Sequence, residues 1–251
     1  MHRFYLPPAA CKNSVLTLSE RESHHAVHVL RVRPGERVVV LDGEGGEYLC
    51  EVRSTDHPGV SLAVRQKNLA LPLPYRLTLL QAFPKGKMMD TIVQKATELG
   101  THRIVPIQSE RTVSQLEEES AAHKVEKWKA ITIEAIKQCG SAWLPEVELP
   151  ISPQAFLARG EKTDLTLIAT LQSDARHPRK HFDSFVAERR RAPQSVSVWV
   201  GPEGDFTPAE INAIRSAGAL PITLGQLVLR SETAAIYCLS VLNYELQSQA
   251  S

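Results

Sequence analysis

A change of hydrophobic rhythm at Leu71-Pro72-Leu73-Pro74 constrains this chain more than any other feature. Both prolines forbid ladder bonds and helix interior, so the stretch from Leu69 reads as a linker. Before it, short segments alternate apolar and polar residues: Arg37 to Leu41, Tyr48 to Arg53 and Val60 to Gln66. Turn signals separate them at Arg33-Pro34-Gly35-Glu36, Gly43-Glu44-Gly45-Gly46 and His57-Pro58-Gly59. The pattern predicts a small β-barrel over 1–70, interrupted by one helix. That helix opens on a capping box, Ser19-Glu20-Arg21-Glu22, and ends near Leu30. After the linker, strands alternate with helices. Strands are predicted at Arg76 to Ala82, Ile104 to Ile107 and Leu165 to Thr170, and helices at Met88 to Leu99 and Glu119 to Cys139. Such alternation implies a mainly parallel sheet covered by helices, an α/β domain over 71–251.

Composition bounds the partners. The 251 residues suffice for one large domain or two smaller ones. A net charge of +1 argues against a polycation, yet leaves room for a local basic face. Cys11, Cys50, Cys139 and Cys238 have neither zinc nor redox spacing, which suits a reduced, cytoplasmic protein with free thiols. Cys139 reads as a small buried hydrophobe, since no companion base is evident. The chain opens without a basic segment followed by a long apolar core, and no apolar run approaches the ~20 residues that span a bilayer, so no membrane role is expected. His24 and His28 lie four apart on the predicted helix, but no third ligand or HExxH glutamate accompanies them, so no metal is expected.

Two successive strand–loop–helix units near the C-terminus carry the chemistry. Val196 to Val200 is a buried strand that runs into Gly201-Pro202-Glu203-Gly204-Asp205-Phe206. Thr207-Pro208-Ala209-Glu210 then forms a capping box with proline at the first helical position, and the helix stops near Gly218. Pro221 to Leu224 is the next strand. It leads through Gly225 to Leu229-Arg230-Ser231-Glu232-Thr233, where Ser231 caps a last helix, Ala234 to Leu246, whose apolar faces predict burial. Glycine lets a backbone approach a ligand, and ligands of open α/β sheets bind at the strands' carboxyl ends. Neither a Walker pattern nor GxGxxG is present, so no phosphate loop is expected.

Gly201-Pro202-Glu203-Gly204 together with Leu229-Arg230-Ser231-Glu232-Thr233-Ala234 resembles the RsmE family. These are 16S ribosomal RNA uridine-N3 methyltransferases of the SPOUT class, which use S-adenosylmethionine. Met1 to Tyr5, His28-Val29-Leu30-Arg31, Lys85-Gly86-Lys87, Gln94 to Gly100 and Ser109-Glu110-Arg111 are similar to family stretches as well, in the same order along the chain. The resemblance implies a SPOUT-type domain with a trefoil knot, which topology rules count as very rare, a PUA-like N-terminal barrel and a homodimer. It implies that 16S RNA, naked or in the small ribosomal subunit, is the partner.

The implied reaction is in-line attack of a uracil N3 on a sulfonium methyl, and N3 must lose its proton. The resemblance places the cofactor against Gly201, Pro202, Glu203, Gly204, Leu224 and Leu229, with Arg230, Glu232 and Thr233 beside them and Leu171 to Ser173 as a third wall. Arg230 can stabilise the uracil anion or its phosphate through its fork of donors, or form a structural ion pair with Glu232. Glu203 can accept cofactor groups, act on the proton, or shape the loop. Glu232 is a candidate base, or merely favours the helix dipole. RNA contacts fall to Arg3, Arg31, Lys85, Lys87 and Arg111, and less to Lys95, which can pair with Glu98. Phe4 and Tyr5 offer stacking surface or belong to the core. The chain departs from the family at Ser141-Ala142-Trp143, where relatives often carry an arginine; Trp143 either substitutes by stacking or is structural. Three alternatives stand beside this function: a SPOUT methyltransferase for another RNA nucleotide, a non-catalytic ribosomal RNA-binding assembly factor, and a small-molecule α/β enzyme using a nucleotide, which the N-terminal barrel disfavours.

Overall fold

The computed structural model describes residues 1–56, 59–86, 88–112 and 118–249, without the side chains of 118, 119 and 249. Packing divides the chain into two compact units: Met1–Pro72 with Ile133–Leu144, and Leu73–Thr132 with the chain from Pro145 onward.

Among the described residues the first unit holds a five-stranded sheet: β1 (His2–Tyr5), β2 (Val15–Thr17), β3 (Arg37–Leu41), β4 (Gly46–Ser54) and β5 (Ser61–Leu69), in the order β1-β3-β4-β5-β2. β1 pairs parallel with β3, and the other pairs are antiparallel. Alternate residues of β4, Tyr48, Cys50 and Val52, are buried, as a one-faced strand requires. They meet Phe4, Leu16, Val38, Val40 and Leu62 in one core. Phe4 is therefore a core residue, not a base-stacking one. The expected helix is α1 (Glu20–His24), which loosens into one π-helical turn, His25–Val29. Its capping box is half made: Ser19 Oγ accepts from the Glu22 amide at 3.3 Å, but the Glu22 carboxylate turns to Lys137 Nζ at 2.8 Å. Both of these charged groups are under one-tenth exposed.

Among the described residues the second unit is a parallel six-stranded sheet: β6 (Arg76–Ala82), β7 (Arg103–Ile107), β8 (Glu146–Val147), β9 (Leu165–Ala169), β10 (Ser195–Val200) and β11 (Leu220–Ile222). Their order is β11-β9-β10-β6-β7-β8. Its helices are α2 (Met88–Glu98), α4 (Pro153–Ala158), α5 (Pro178–Arg189), α6 (Pro208–Ser216), α7 (Ser231–Gln249) and α3 (Glu118–Cys139) as far as Thr132, the rest of α3 belonging to the first unit. Strand side chains alternate between two cores. Leu77, Leu79, Val196 and Val198 face α2, α5 and α7, while Leu80, Trp199 and Ile168 face α4 and α6. The sheet is thus covered on both faces, which is why its strands read as nearly continuous apolar runs.

Three expectations are corrected. α7 is not buried on most faces: Ala235, Cys238, Leu239, Leu242 and Leu246 pack inward, but Tyr237 is 45% and Tyr244 66% exposed on the opposite face. Cys139, the last residue of α3, is exposed. Ser231 is the first residue of α7 and not its cap; its hydroxyl donates to the Gly201 carbonyl at 2.9 Å.

Candidate active site

All strands of the second sheet run the same way, so the loops that follow β6, β7, β9, β10 and β11 share its carboxyl edge. The loop after β10 is their hub. Gly201 ends the strand, Pro202 is buried, and the Asp205 amide closes a turn onto the Pro202 carbonyl at 2.9 Å. Asp205 sits at φ +60, where its carboxylate accepts from the Phe206 amide at 2.7 Å. Burial raises the Asp205 pKa, opposed by the Phe206 amide, the Arg111 charge and the Leu171 amide. Phe206 then buries its ring edge-on against Trp199, with centroids 6.1 Å apart.

The loops after β6, β7 and β11 each hold this hub by a named bond. The Lys85 amide, after β6, donates to Glu203 Oε1 at 2.9 Å. The Arg111 guanidinium, after β7, donates to the Gly204 carbonyl. Ser231, after β11, holds the Gly201 carbonyl and itself accepts from Gln81 Nε2 at 3.0 Å. The expected capping box at α6 is complete: the Glu210 amide donates to Thr207 Oγ1 at 3.3 Å, and the Thr207 amide to Glu210 Oε2 at 2.9 Å. Glu210 is fully buried and does more than cap. Its carboxylate also accepts from Ser109 Oγ at 3.2 Å and from the Glu110 amide at 3.0 Å, which fastens the loop after β7 to the start of α6.

The loop after β11 is more open. Thr223 Oγ1 accepts from the Gly225 amide at 3.2 Å, and Gly225 turns at φ +111 with nothing within 4 Å of where a Cβ would stand. Beyond it Leu227 is 78% and Val228 74% exposed, and Leu171, on the loop after β9, is 67% exposed. Leu224 and Leu229 are half-buried. An apolar lip beside backbone amides and carbonyls suits the bases and riboses of a nucleoside.

The structure brings Leu171, Gly201, Pro202, Glu203, Gly204, Leu224, Leu229, Arg230, Glu232 and Thr233 to one sheet edge, although Thr233 lies on the outer face of α7 beside Ile236 and Tyr237. Glu203 accepts from the Lys85 amide, a bond that contributes to the shape of the loop. Among the described residues Arg230 is exposed and makes no ion pair with Glu232; Glu232 stands in the first turn of α7. Lys85 and Arg111 are gathered at the same edge. Arg3 and Arg31 are in the first unit. Arg3 donates to the Lys137 and Gln138 carbonyls at 3.3 and 3.2 Å, satisfying the end of α3, while Arg31 is exposed at φ +55. Lys87 lies outside the described residues. Lys95 pairs with Glu98 at 2.8 Å. Trp143 donates through Nε1 to the Ala70 carbonyl at 3.1 Å, and its ring lies so close to Gly45 that a Cβ there would come within 2.6 Å. The Trp143 side chain is nonetheless 38% exposed. The rings of His24 and His28 lie 4.5 Å apart between centroids and are tilted by 42°, and no metal-binding cluster occurs among the described residues.

Gln81, Asp205 and Glu210 were not singled out as site residues by the sequence. Gln81 carried a readable signal, a polar side chain in an otherwise apolar strand end; Asp205 occupies the residue after Gly204, where a turn favours residues that tolerate positive φ.

Known proteins resemble this chain along most of its length. An RNA methyltransferase domain family matches residues 71–243, and an RNA methyltransferase PUA domain family matches residues 18–64. Ribosomal RNA small subunit methyltransferase E of Bacillus subtilis is 31% identical over 92% of this chain and 90% of its own length. The protein of that name from Aquifex aeolicus is 33% identical over 96% and 99%. The crystal structure of a ribosomal RNA small subunit methyltransferase E from Neisseria gonorrhoeae, bound to S-adenosyl methionine, superposes with a TM-score of 0.83 at 27% identity, covering 97% of each chain. With its sheet-edge loops and both domain families matched along its length, the chain belongs to the ribosomal RNA small subunit methyltransferase E family.

Proposed function

We propose that this chain transfers a methyl group from S-adenosylmethionine to N3 of a specific uridine in 16S ribosomal RNA of the small subunit. The observation that carries the reading is the hub at Gly201–Asp205, held from the loops after β6, β7 and β11 beside an open apolar lip. When bound, the cofactor supplies an electrophilic methyl group on a sulfonium. Gly201, Pro202, Gly204, Leu224 and Leu229 would hold its nucleoside through backbone groups, with Leu171 as an apolar wall. Loops already fastened to one another orient a ligand with little reorganisation, and orientation is the main contribution that a transfer between two bound partners needs.

Arg230 is exposed at the edge, with its guanidinium unpaired among the described residues. It is therefore free to stabilise the uracil anion, whose charge spreads onto the carbonyl oxygens once N3 has lost its proton. Glu232, in the first turn of the helix, is placed to take that proton or to favour the dipole. Lys85 and Arg111 meet RNA phosphates at this edge, and Arg3 and Arg31 do so from the PUA-type unit. The work is cytoplasmic, where ribosomal subunits are.

Two further properties belong to the same proposal. The chain acts as a homodimer, supported by the exposed apolar face of α7, where Ile236, Tyr237 and Tyr244 line a groove of about 590 Å³. The C-terminal segment is threaded as a trefoil knot, a reading supported by its path from edge strand β11 back to α7, which packs on the central β6 and β10.

The test is methyl transfer from labelled S-adenosylmethionine to purified small subunits from cells lacking the protein, with the product nucleoside mapped. A single 3-methyluridine in 16S RNA is expected. Arg230→Ala should lower turnover by at least about 100-fold while cofactor affinity changes little. Label at another nucleoside would overturn the uridine assignment, and unchanged turnover in the variant would remove Arg230 from the chemistry.

A further inference from the structure

We infer that Gln81 and Ser231 are positioning residues that lock the Gly201-Pro202 turn into the shape that receives the cofactor, an inference that rests on the methyltransferase reading above. In a Gly-Pro step the proline ring fixes φ of Pro202, and the imide nitrogen has no proton to give. The remaining freedom belongs to Gly201, the residue with the widest choice of backbone angles. Its carbonyl oxygen is the handle by which that choice is made. Ser231 takes the handle: its hydroxyl donates to the Gly201 oxygen at 2.9 Å, from the first residue of α7.

A lone hydroxyl rotates, and Gln81 prevents that here. Its Nε2 donates to Ser231 Oγ at 3.0 Å, so the serine's own proton must point away, toward Gly201. The second Nε2 hydrogen goes to the Ala82 carbonyl at 2.8 Å. Both donors are thus committed, and exchanging the amide oxygen and nitrogen would set two oxygens against each other. Gln81 is anchored in turn by the sheet, where it stands level with Val200, the residue before Gly201. Its Oε1 is buried without a partner among the described residues. Buried acceptors left open are uncommon and costly. The arrangement accepts this cost and keeps both donors aimed, one of them at the relay. Direction therefore runs one way, from the central strand through α7 to the loop after β10, and two loops that would otherwise move separately are joined.

Calorimetric titration of S-adenosylmethionine into the full chain tests the relay without any turnover. Ser231→Ala should weaken binding by about 3- to 10-fold, the loss of one neutral hydrogen bond, with the variant still unfolding cooperatively. Ser231→Thr, which keeps the hydroxyl, should restore affinity to within about 2-fold of the wild type. Gln81→Met should weaken binding by about 2- to 3-fold, and the double variant Ser231→Ala with Gln81→Met should be no weaker than Ser231→Ala alone, because the glutamine acts through the serine. Wild-type affinity in Ser231→Ala, a threonine variant as weak as the alanine one, or additive losses in the double variant would overturn the relay. A wild type that binds no S-adenosylmethionine would instead overturn the methyltransferase reading, and the relay's purpose with it.

Discussion

Asp205 is a side chain chosen for backbone geometry. At φ +60 most residues strain, but aspartate tolerates the left-handed region when its carboxylate reaches a nearby amide, as it does to Phe206 at 2.7 Å. Asp205→Ala keeps the strain and loses the bond, so it should cost about 1–2 kcal/mol in urea unfolding. Asp205→Asn keeps an acceptor and should fall within about 0.5 kcal/mol of the wild type. Equal losses in the two variants would mean that charge, and not geometry, holds the turn. At this scale the sequence was partly legible. Glycine, proline and the Thr207–Glu210 box announced the loop and the helix after it, because those signals are local. The partners of Glu203, Glu210 and Ser231 were not legible, since Lys85, Ser109 and Gln81 lie about 100 residues or more away and only the fold brings them near.

Elements are held at their starts as well as at the site. Asp164, just before β9, accepts from Arg191 at 2.7 and 2.9 Å and from the Gln194 amide at 2.7 Å, just before β10. The Arg191 guanidinium and these amides depress its pKa from 3.8 to about 2. A depressed carboxylate stabilises the fold above its unfolded pKa and loses that contribution as pH falls through the folded one. Asp164→Asn should therefore cost about 1 kcal/mol at pH 7, allowing for solvent screening, with roughly half of the gap left at pH 3. Urea midpoints at both pH values check it; a gap that does not narrow would point to lost geometry and not lost charge. Strand β6 and strand β3 were read from the sequence with the bounds they have, because continuous or alternating apolar runs specify them. The two-residue β8, the three-residue β2 and the charged α5 escaped. The first two are too short to show a period, and α5 buries little more than Phe182 and His181.

For the molecule as a whole, the α/β class and the helix-covered parallel sheet were legible, whereas the strand order was not, because β10 enters between β9 and β6 by pairing across long stretches of chain. The outer face of α7 was misjudged for a related reason: apolar residues all round a helix predict burial without saying by what. We expect sedimentation to give a dimer at micromolar concentration and Tyr237→Asp to raise its dissociation constant at least about 10-fold by setting a charge on the apolar face. A monomeric wild type over the same range would dispose of the dimer. The one-way run of the sheet has a practical corollary. In this sheet every loop with a proposed chemical task leaves a strand's carboxyl end, so the opposite rim carries none of those tasks. The exposed turn through Gly160 and Lys162, ahead of β9, lies on that rim, and Gly160 has open space around it. A fluorescent reporter spliced in there would watch the enzyme at work from a side on which it has no business.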